Sequence, residues 1–233
     1  MSLDEKQIRD VRRLGVVPTG MVEYSAATLS DGMQKIGLTG RVLDHSIRPV
    51  VPFTQMTGTA VTMKLAEADE PSNHSVCVAQ AFEAGRNVAS PILVIEQPPD
   101  VPVIGSGGAH CMRHHFGFAG CLVAGCVRDT EDLRRMKFPA FCHTIRAEFV
   151  FGKLKGVSVN EPVQVGGVEI SAGDYIAGDH DGVVAVPADR LEEVLAKCRE
   201  VLEQERQILE EVDSGIPFLE VLRRRQPEAF PDE

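Results

Sequence analysis

Arg128 and Asp129 stand side by side at the end of the apolar run CLVAGCV (121–127), and the helical pattern DTEDLRRM follows them. An arginine offers a planar fork that matches a carboxylate with two parallel N–H bonds. An aspartate offers a hard oxygen ligand suited to Mg2+ or Mn2+. A divalent ion beside a carboxylate-binding arginine is a device for handling a 2-oxo acid: the ion polarises the keto oxygen while the arginine holds the acid group. In layered α/β proteins, ligands gather at the carboxyl ends of strands, and this pair sits at such an end. On the pattern alone, a structural ion pair with Asp129 opening the helix is the simpler reading.

The second candidate is GSGGAH, residues 105–110. Three glycines in four positions let backbone N–H groups approach a ligand closely. If a helix starts near Gly108, those groups and the helix dipole would hold an anion. An ordinary glycine-rich turn explains the same residues. Neither the P-loop Lys-Ser/Thr nor a full G-x-G-x-x-G is present.

Other chemistry-bearing residues point less clearly. Cys111 with His110, His114 and His115 comes nearest to a metal cluster, but the fuller zinc ligand set is missing. Lys64 follows an apolar strand and raises the option of a Schiff-base lysine; a surface position is the plainer alternative. Asp179 and Asp181 in GDHDG read as turn residues. No Gly-x-Ser-x-Gly, dinucleotide fingerprint, methyl-donor motif or ordered Cys-His pair occurs. The six cysteines lack any C-x-x-C pairing and mostly sit in apolar surroundings, which reads as reduced and buried.

The elements that must position these groups follow from periodicity and punctuation. Residues 4–14 and 25–36 predict helices, the second stopping at Gly37. GTAVTM (58–63), PILVIEQ (91–97) and CLVAGCV (121–127) predict buried strands. Residues 73–87 predict a helix with Gly85 near its end, a helical stretch follows GSGG, and 129–136 begins a helix with acidic residues first and arginines later, which suits the dipole. From 162 to 187 the chain alternates and breaks at Gly-Gly, Ala-Gly-Asp and His-Asp-Gly, which is hairpin chemistry. Residues 188–213 predict one long amphipathic helix, and SGIPFLEVLRRR a short last one. These elements make a mixed α/β chain read as one domain over 1–233, with N-terminal helices to about 37, a core over about 38–187 and C-terminal helices over about 188–225.

The composition excludes several classes. Of 233 residues, 43% are hydrophobic, a globular balance. No apolar run approaches the ~20 residues of a membrane span, and no basic-then-apolar leader opens the chain, so export is not expected and a cytoplasmic location is. The net charge of −10 repels phosphate, which argues against direct nucleic-acid binding.

Taken together, Gly107, twenty residues, Arg128, Asp129, two residues and Asp132 form a G-x20-R-D-x2-D pattern. It resembles the RraA-like family, which contains the 4-hydroxy-4-methyl-2-oxoglutarate aldolases and the regulators of ribonuclease E activity A. SDGM, GTAVTM, FAGCLVAGCVRD, FPAF and AGDYIAGDHDGVVAVP extend the likeness over residues 25–215. The resemblance implies an α/β sandwich of the swivelling phosphohistidine-domain type, assembled as trimers or pairs of trimers with sites between subunits. It implies that Arg128 binds a pyruvate carboxylate and Asp129 a divalent metal, Mg2+ or Mn2+. Backbone amides at Ser106, Gly107, Gly108 and Ala109 would cradle the substrate, with Asp132 also in the catalytic set. Glu205, in the long helix, best matches a glutamate through which a neighbouring subunit supports metal-bound waters. The implied activity is a metal-dependent lyase that releases pyruvate from short 2-oxo dicarboxylic acids; the alternative is a non-catalytic regulator that binds an RNA-processing enzyme. One departure stands out: Gly107 occupies the place where the aldolases carry Asp and the regulators Glu. Asp132, His110, Glu148 or a metal-bound water would have to move the proton instead.

Overall fold

A computed structural model describes residues 24–70 and 72–230. The helix expected over 4–14 lies outside the described residues. The remaining helices and strands are α1 (Ala26–Lys35), β1 (Arg48–Pro49), β2 (Met56–Glu67), α2 (His74–Gly85), β3 (Pro91–Glu96), α3 (Ser106–His115), β4 (Gly120–Val127), α4 (Thr130–Met136), β5 (Ala140–Ile145), β6 (Leu154–Val159), β7 (Val163–Val165), β8 (Val168–Ile170), β9 (Tyr175–Gly178), β10 (Val183–Val186), α5 (Leu191–Asp213) and α6 (Phe218–Arg225).

The central run β2, β3, β4 and β5 is parallel, because each crossover carries one helix. The sheet order is β1-β5-β4-β3-β2-β9-β10, with β6 also on β2. β2 is longer than the six residues expected because its free edge has two customers. Its first half pairs antiparallel with β9 and its second half with β6. The stretch 41–49 then almost closes the sheet into a barrel: Val42 bridges to Val184 in β10, and Arg48 pairs with Cys142 in β5. A layered α/β sandwich was the expectation; the sheet of this mixed α/β domain curls toward a barrel, because one short segment pairs with both of its ends.

Alternation along the strands separates two cores. Ala60, Ile92, Val94, Leu122, Phe141, Ile176 and Ala185 face inward, capped by the β7–β8 hairpin. Val61, Leu93, Ile95, Cys121 and Val123 face outward, under Cys77 and Ala81 of α2, Met112 of α3 and Leu133 of α4. A third cluster seats Leu29 and Met33 of α1 with Val194 and Cys198 of α5 against Tyr175 and Val184. The long helix begins at Leu191, after a short 3-10 turn at Ala188–Arg190. All six cysteines are free and five are buried. Burial pushes the thiols of Cys77 and Cys198 up to about 11 and that of Cys142 to about 12, so they stay neutral packing groups. No helix among the described residues is long and apolar enough to cross a membrane.

Candidate active site

The parallel order puts the carboxyl ends of β3 and β4 at one rim. The loop leaving β3 returns as α3, and Ile104 bridges to Val127 while the Arg128 amide donates to the Ile104 carbonyl at 3.0 Å. The residues just before α3 therefore lie beside the pair that ends β4. Gln97 fastens this arrangement: its Nε2 donates to Val101 O at 2.7 Å and to Cys126 O at 3.2 Å, joining the loop to the strand end.

Asp129 has left-handed backbone angles, φ 55° and ψ 39°. The residue opens α4, yet its side chain does not cap α4. It turns to α3 instead, where Oδ2 accepts from the Ser106 amide and from the Ser106 hydroxyl, each at 3.0 Å. Oδ1 accepts from Arg128 Nε at 3.2 Å. These donors favour the charged form. The Ser106 amide, with help from its hydroxyl and from Arg128, holds the Asp129 carboxyl below the usual carboxylate range. Two donors occupy Oδ2 and one occupies Oδ1, so one lone pair of Oδ1 remains open.

Arg128 is held by the same carboxylate and by Glu148 O, to which Nη1 donates at 3.1 Å. Its Nη2 has no partner among the described residues, and about a third of the side chain is exposed. The fork is thus fixed at two corners and open at the third. Gly105, the residue before α3, makes the approach possible. A Cβ there would stand 2.5 Å from Asp129 Oδ2 and 3.0 Å from Arg128 Cγ.

The expected amide cradle is smaller than four residues. The Ser106 N–H is taken by Asp129, and the Ala109 N–H closes the first helical bond to Gly105 O at 3.0 Å. The Gly107 and Gly108 N–H groups remain, without acceptors among the described residues, as the first turn of any helix leaves them. Gly107 is exposed, and a Cβ there would meet nothing within 4 Å. Asp132 lies in the first turn of α4, half-exposed, and its carboxylate pairs with Arg135 at 3.2 Å rather than joining Asp129. Glu148 lends its carbonyl to the site while its carboxylate pairs with Lys153. Glu205 is exposed on α5. Lys64 is tied to Glu96 at 2.7 Å, which leaves no bare amine for a Schiff base. Asp179 is buried in its turn, accepting from the Asp181 amide and from the first amide of α1.

The donor set bears on the metal. Among the described residues no three His, Cys, Asp or Glu side chains converge on a metal-sized space. His110, Cys111, His114 and His115 form no such group among the described residues. One ionised carboxylate with an open lone pair fits a hard ion that keeps most of its waters, as Mg2+ does.

The family model described as RraA-like, Aldolase/RraA, matches residues 26–185, more than half the chain. The chain belongs to the RraA-like family. Within it, a Halalkalibacterium halodurans protein named "Putative 4-hydroxy-4-methyl-2-oxoglutarate aldolase" is 31% identical over 201 residues, 84% of this chain and 85% of that one. An uncharacterized Methanocaldococcus jannaschii protein is 36% identical over 180 residues, 76% of this chain and 83% of that one. Among solved structures, Streptomyces coelicolor RraAS2, described as an unusual member of the RNase ES inhibitor RraA protein family, superposes with a TM-score of 0.67 at 22% identity, over 87% of this chain and 96% of that one. The RraA-like fold thus carries both aldolase and inhibitor names, and the site has to separate them.

Gln97 and the Glu148 carbonyl were not singled out from sequence, and Gly105 only as part of the glycine-rich stretch. Gly105 is the first glycine of GSGG and had a visible signal. Gln97 and Glu148 act through pairings between distant segments, which no local pattern shows.

Proposed function

We propose that this protein is a divalent-metal-dependent lyase that acts on short 2-oxo dicarboxylic acids and releases pyruvate. The substrates would be oxaloacetate, by decarboxylation, and 4-hydroxy-4-methyl-2-oxoglutarate, by retro-aldol cleavage. The observation that carries the reading is the pairing of an arginine fork open at one corner with an ionised aspartate, both held against the start of α3. The pair is seated by the close backbone approach at Gly105, and Nη2 of the fork has no partner among the described residues, which leaves a donor for a carboxylate.

The chain's own groups divide the work. Arg128 Nη2 takes the substrate carboxylate, with its plane fixed by Asp129 and Glu148 O. The Gly107 and Gly108 amides and the α3 dipole stabilise negative charge that develops on the substrate. Asp129 would hold Mg2+ or Mn2+ through Oδ1; when bound, the ion supplies Lewis-acid stabilisation of the keto oxygen. Loss of CO2 from oxaloacetate yields an enolate with no hydroxyl proton to remove, whereas retro-aldol cleavage needs a base. Decarboxylation is therefore expected to be the faster reaction.

Assembly as a trimer or hexamer belongs to the same proposal. Leu202 and Leu209 of α5 and Phe218 and Leu219 of α6 are 40%, 62%, 55% and 51% exposed, apolar surface that a neighbouring subunit would cover. Glu205, exposed on the same helix, would then reach a neighbour's site. The family's swivelling-domain architecture is part of this reading too.

Pyruvate release from oxaloacetate, measured with chelator and again with Mg2+ restored, tests the proposal. Metal-stimulated turnover is expected. No turnover of either acid, together with tight binding to an RNA-processing enzyme, would establish the regulator reading in its place.

A further inference from the structure

We propose that His110 is the acid–base residue of the retro-aldol reaction, an inference that rests on the lyase reading above. That reaction must take a proton from the substrate hydroxyl and return one to the enolate carbon. Among the described residues, the carboxylates of the segments around the cradle each have a partner. Asp129 accepts from Ser106 and Arg128. Asp132 is paired with Arg135, Glu131 lies near Arg134 and Arg135, and Glu148 is paired with Lys153. Asp100, on the loop leading to α3, is paired with Arg146. Lys64 is paired with Glu96.

His110 differs from all of these. It is exposed on α3, and among the described residues its aromatic neighbours are His114 and His115, at centroid separations of 4.7 and 5.8 Å. No hydrogen bond engages either ring nitrogen among the described residues. Helix geometry puts it in the right place. At about 100° per residue, His110 projects about 40° round from Ser106 and about 60° from Gly107. It is four residues after the serine that holds Asp129 and three after the first free amide, so on the helix surface it is a neighbour of each. Side chains on a helix lean toward its N-terminus and cover the turn before their own Cα. The turn that His110 covers is the one with no side chain at Gly107 and nothing within 4 Å of where a Cβ would stand. The glycine thus leaves open the path from imidazole to cradle.

The step balances as follows. The neutral imidazole takes the proton of the C4 hydroxyl. The O–H electron pair becomes the new C4 carbonyl, the C3–C4 bond breaks, and its electrons form the enolate of pyruvate. The imidazolium returns its proton to C3. One 4-hydroxy-4-methyl-2-oxoglutarate gives two pyruvates, with no redox change and no other reactant.

The test uses the full chain in Mg2+ buffer. Pyruvate release from 4-hydroxy-4-methyl-2-oxoglutarate and from oxaloacetate is measured for wild type, His110→Ala, and His110→Ala combined with Gly107→Asp. Exchange of the pyruvate methyl protons in D2O is followed by NMR in the same samples. General acid–base assistance is worth about 10²–10⁴-fold. The ratio of aldol cleavage to decarboxylation is expected to fall about 10²-fold or more in His110→Ala, with slower methyl exchange. The added carboxylate is expected to recover at least about tenfold of that ratio, because it restores a proton carrier at the open position. A ratio and exchange rate unchanged in His110→Ala would overturn the assignment and leave the lyase reading standing. A fall that the second substitution does not recover would also overturn it, since His110 would then act by shape rather than by proton transfer. A wild type that releases pyruvate from neither acid would overturn both.

Discussion

Replacing Arg128 with lysine keeps the charge and removes the shape. The three guanidinium nitrogens differ: Nε donates to Asp129, Nη1 to Glu148 O, and Nη2, without a partner among the described residues, is the donor the proposed function gives to a ligand. A lysine has one ammonium on a flexible stem. If it stays with Asp129, the ligand loses its donor; if it turns to the ligand, Asp129 and the Glu148 carbonyl lose theirs. A hydrogen bond to a charged group is worth about 1.5–3 kcal/mol. The arginine side chain is 35% exposed, so solvent screening favours the low end. At about 1.4 kcal/mol per decade, one lost bond weakens carboxylate binding about tenfold, and two lost bonds about 100-fold. Titration calorimetry with oxalate, in Mg2+ buffer, reads this directly. Thermal melts serve as the control, because a chain of this size loses only about 2–4 °C per kcal/mol. Oxalate affinity in Arg128→Lys within about twofold of wild type would refute the reasoning, since no geometry in which Nη2 holds the ligand could survive the exchange so well.

Asp129→Asn keeps the shape and removes the charge, and metal-stimulated turnover should be lost while the chain stays folded. Its stability effect has a sign set by titration. The folded carboxyl titrates below its unfolded value of ~3.9. Its stabilisation is therefore complete above about pH 5 and is lost as pH falls through the lowered folded value. The melting-temperature gap between wild type and the variant should narrow below about pH 4; a gap that does not move with pH would mean the charge is not what holds α3. Gly105→Ala places a methyl 2.5 Å from Asp129 Oδ2 and should cut turnover at least about tenfold by displacing the carboxylate, read by steady-state kinetics. Borohydride with substrate should not inactivate the protein, because Lys64 is paired; inactivation that chelator does not prevent would point to a lysine-dependent aldolase. Light scattering at micromolar concentration should give at least a trimer, and a monomer would remove Glu205 from the site.

The periodic segments were legible because burial imposes them. Strands 91–97 and 121–127 are covered on both faces and read as continuous apolar runs, and the long helix from 188 carries its stripe openly. β6 escaped because Leu154–Val159 is a half-buried strand without alternation, defined by its partner β2 rather than by its own residues. The barrel closure at 41–49 rests on two short pairings between distant segments, which leave no periodic trace. At the site, the motif around Arg128 and Asp129 was visible as a pattern. That Asp129 serves α3 instead of its own helix was not, because an aspartate at a helix start normally caps that helix. The cradle was overestimated at Ala109 for a related reason: helix register decides which amides are spent, and register is the least legible quantity in a glycine-rich stretch.

Asp129 is a member of two helices at once, opening α4 with its backbone and closing the start of α3 with its side chain. Under the proposed function, an acid held by Arg128 Nη2 beside the Gly107 and Gly108 amides would be a close neighbour of that negative charge, and a cation drawing on Oδ1 would relieve the repulsion. The two occupants would then help one another, and the help would be reciprocal: whatever factor the cation adds to the affinity for the acid, the acid adds to the affinity for the cation. A cation titration made without a bound acid would on this reading report the weaker of two affinities.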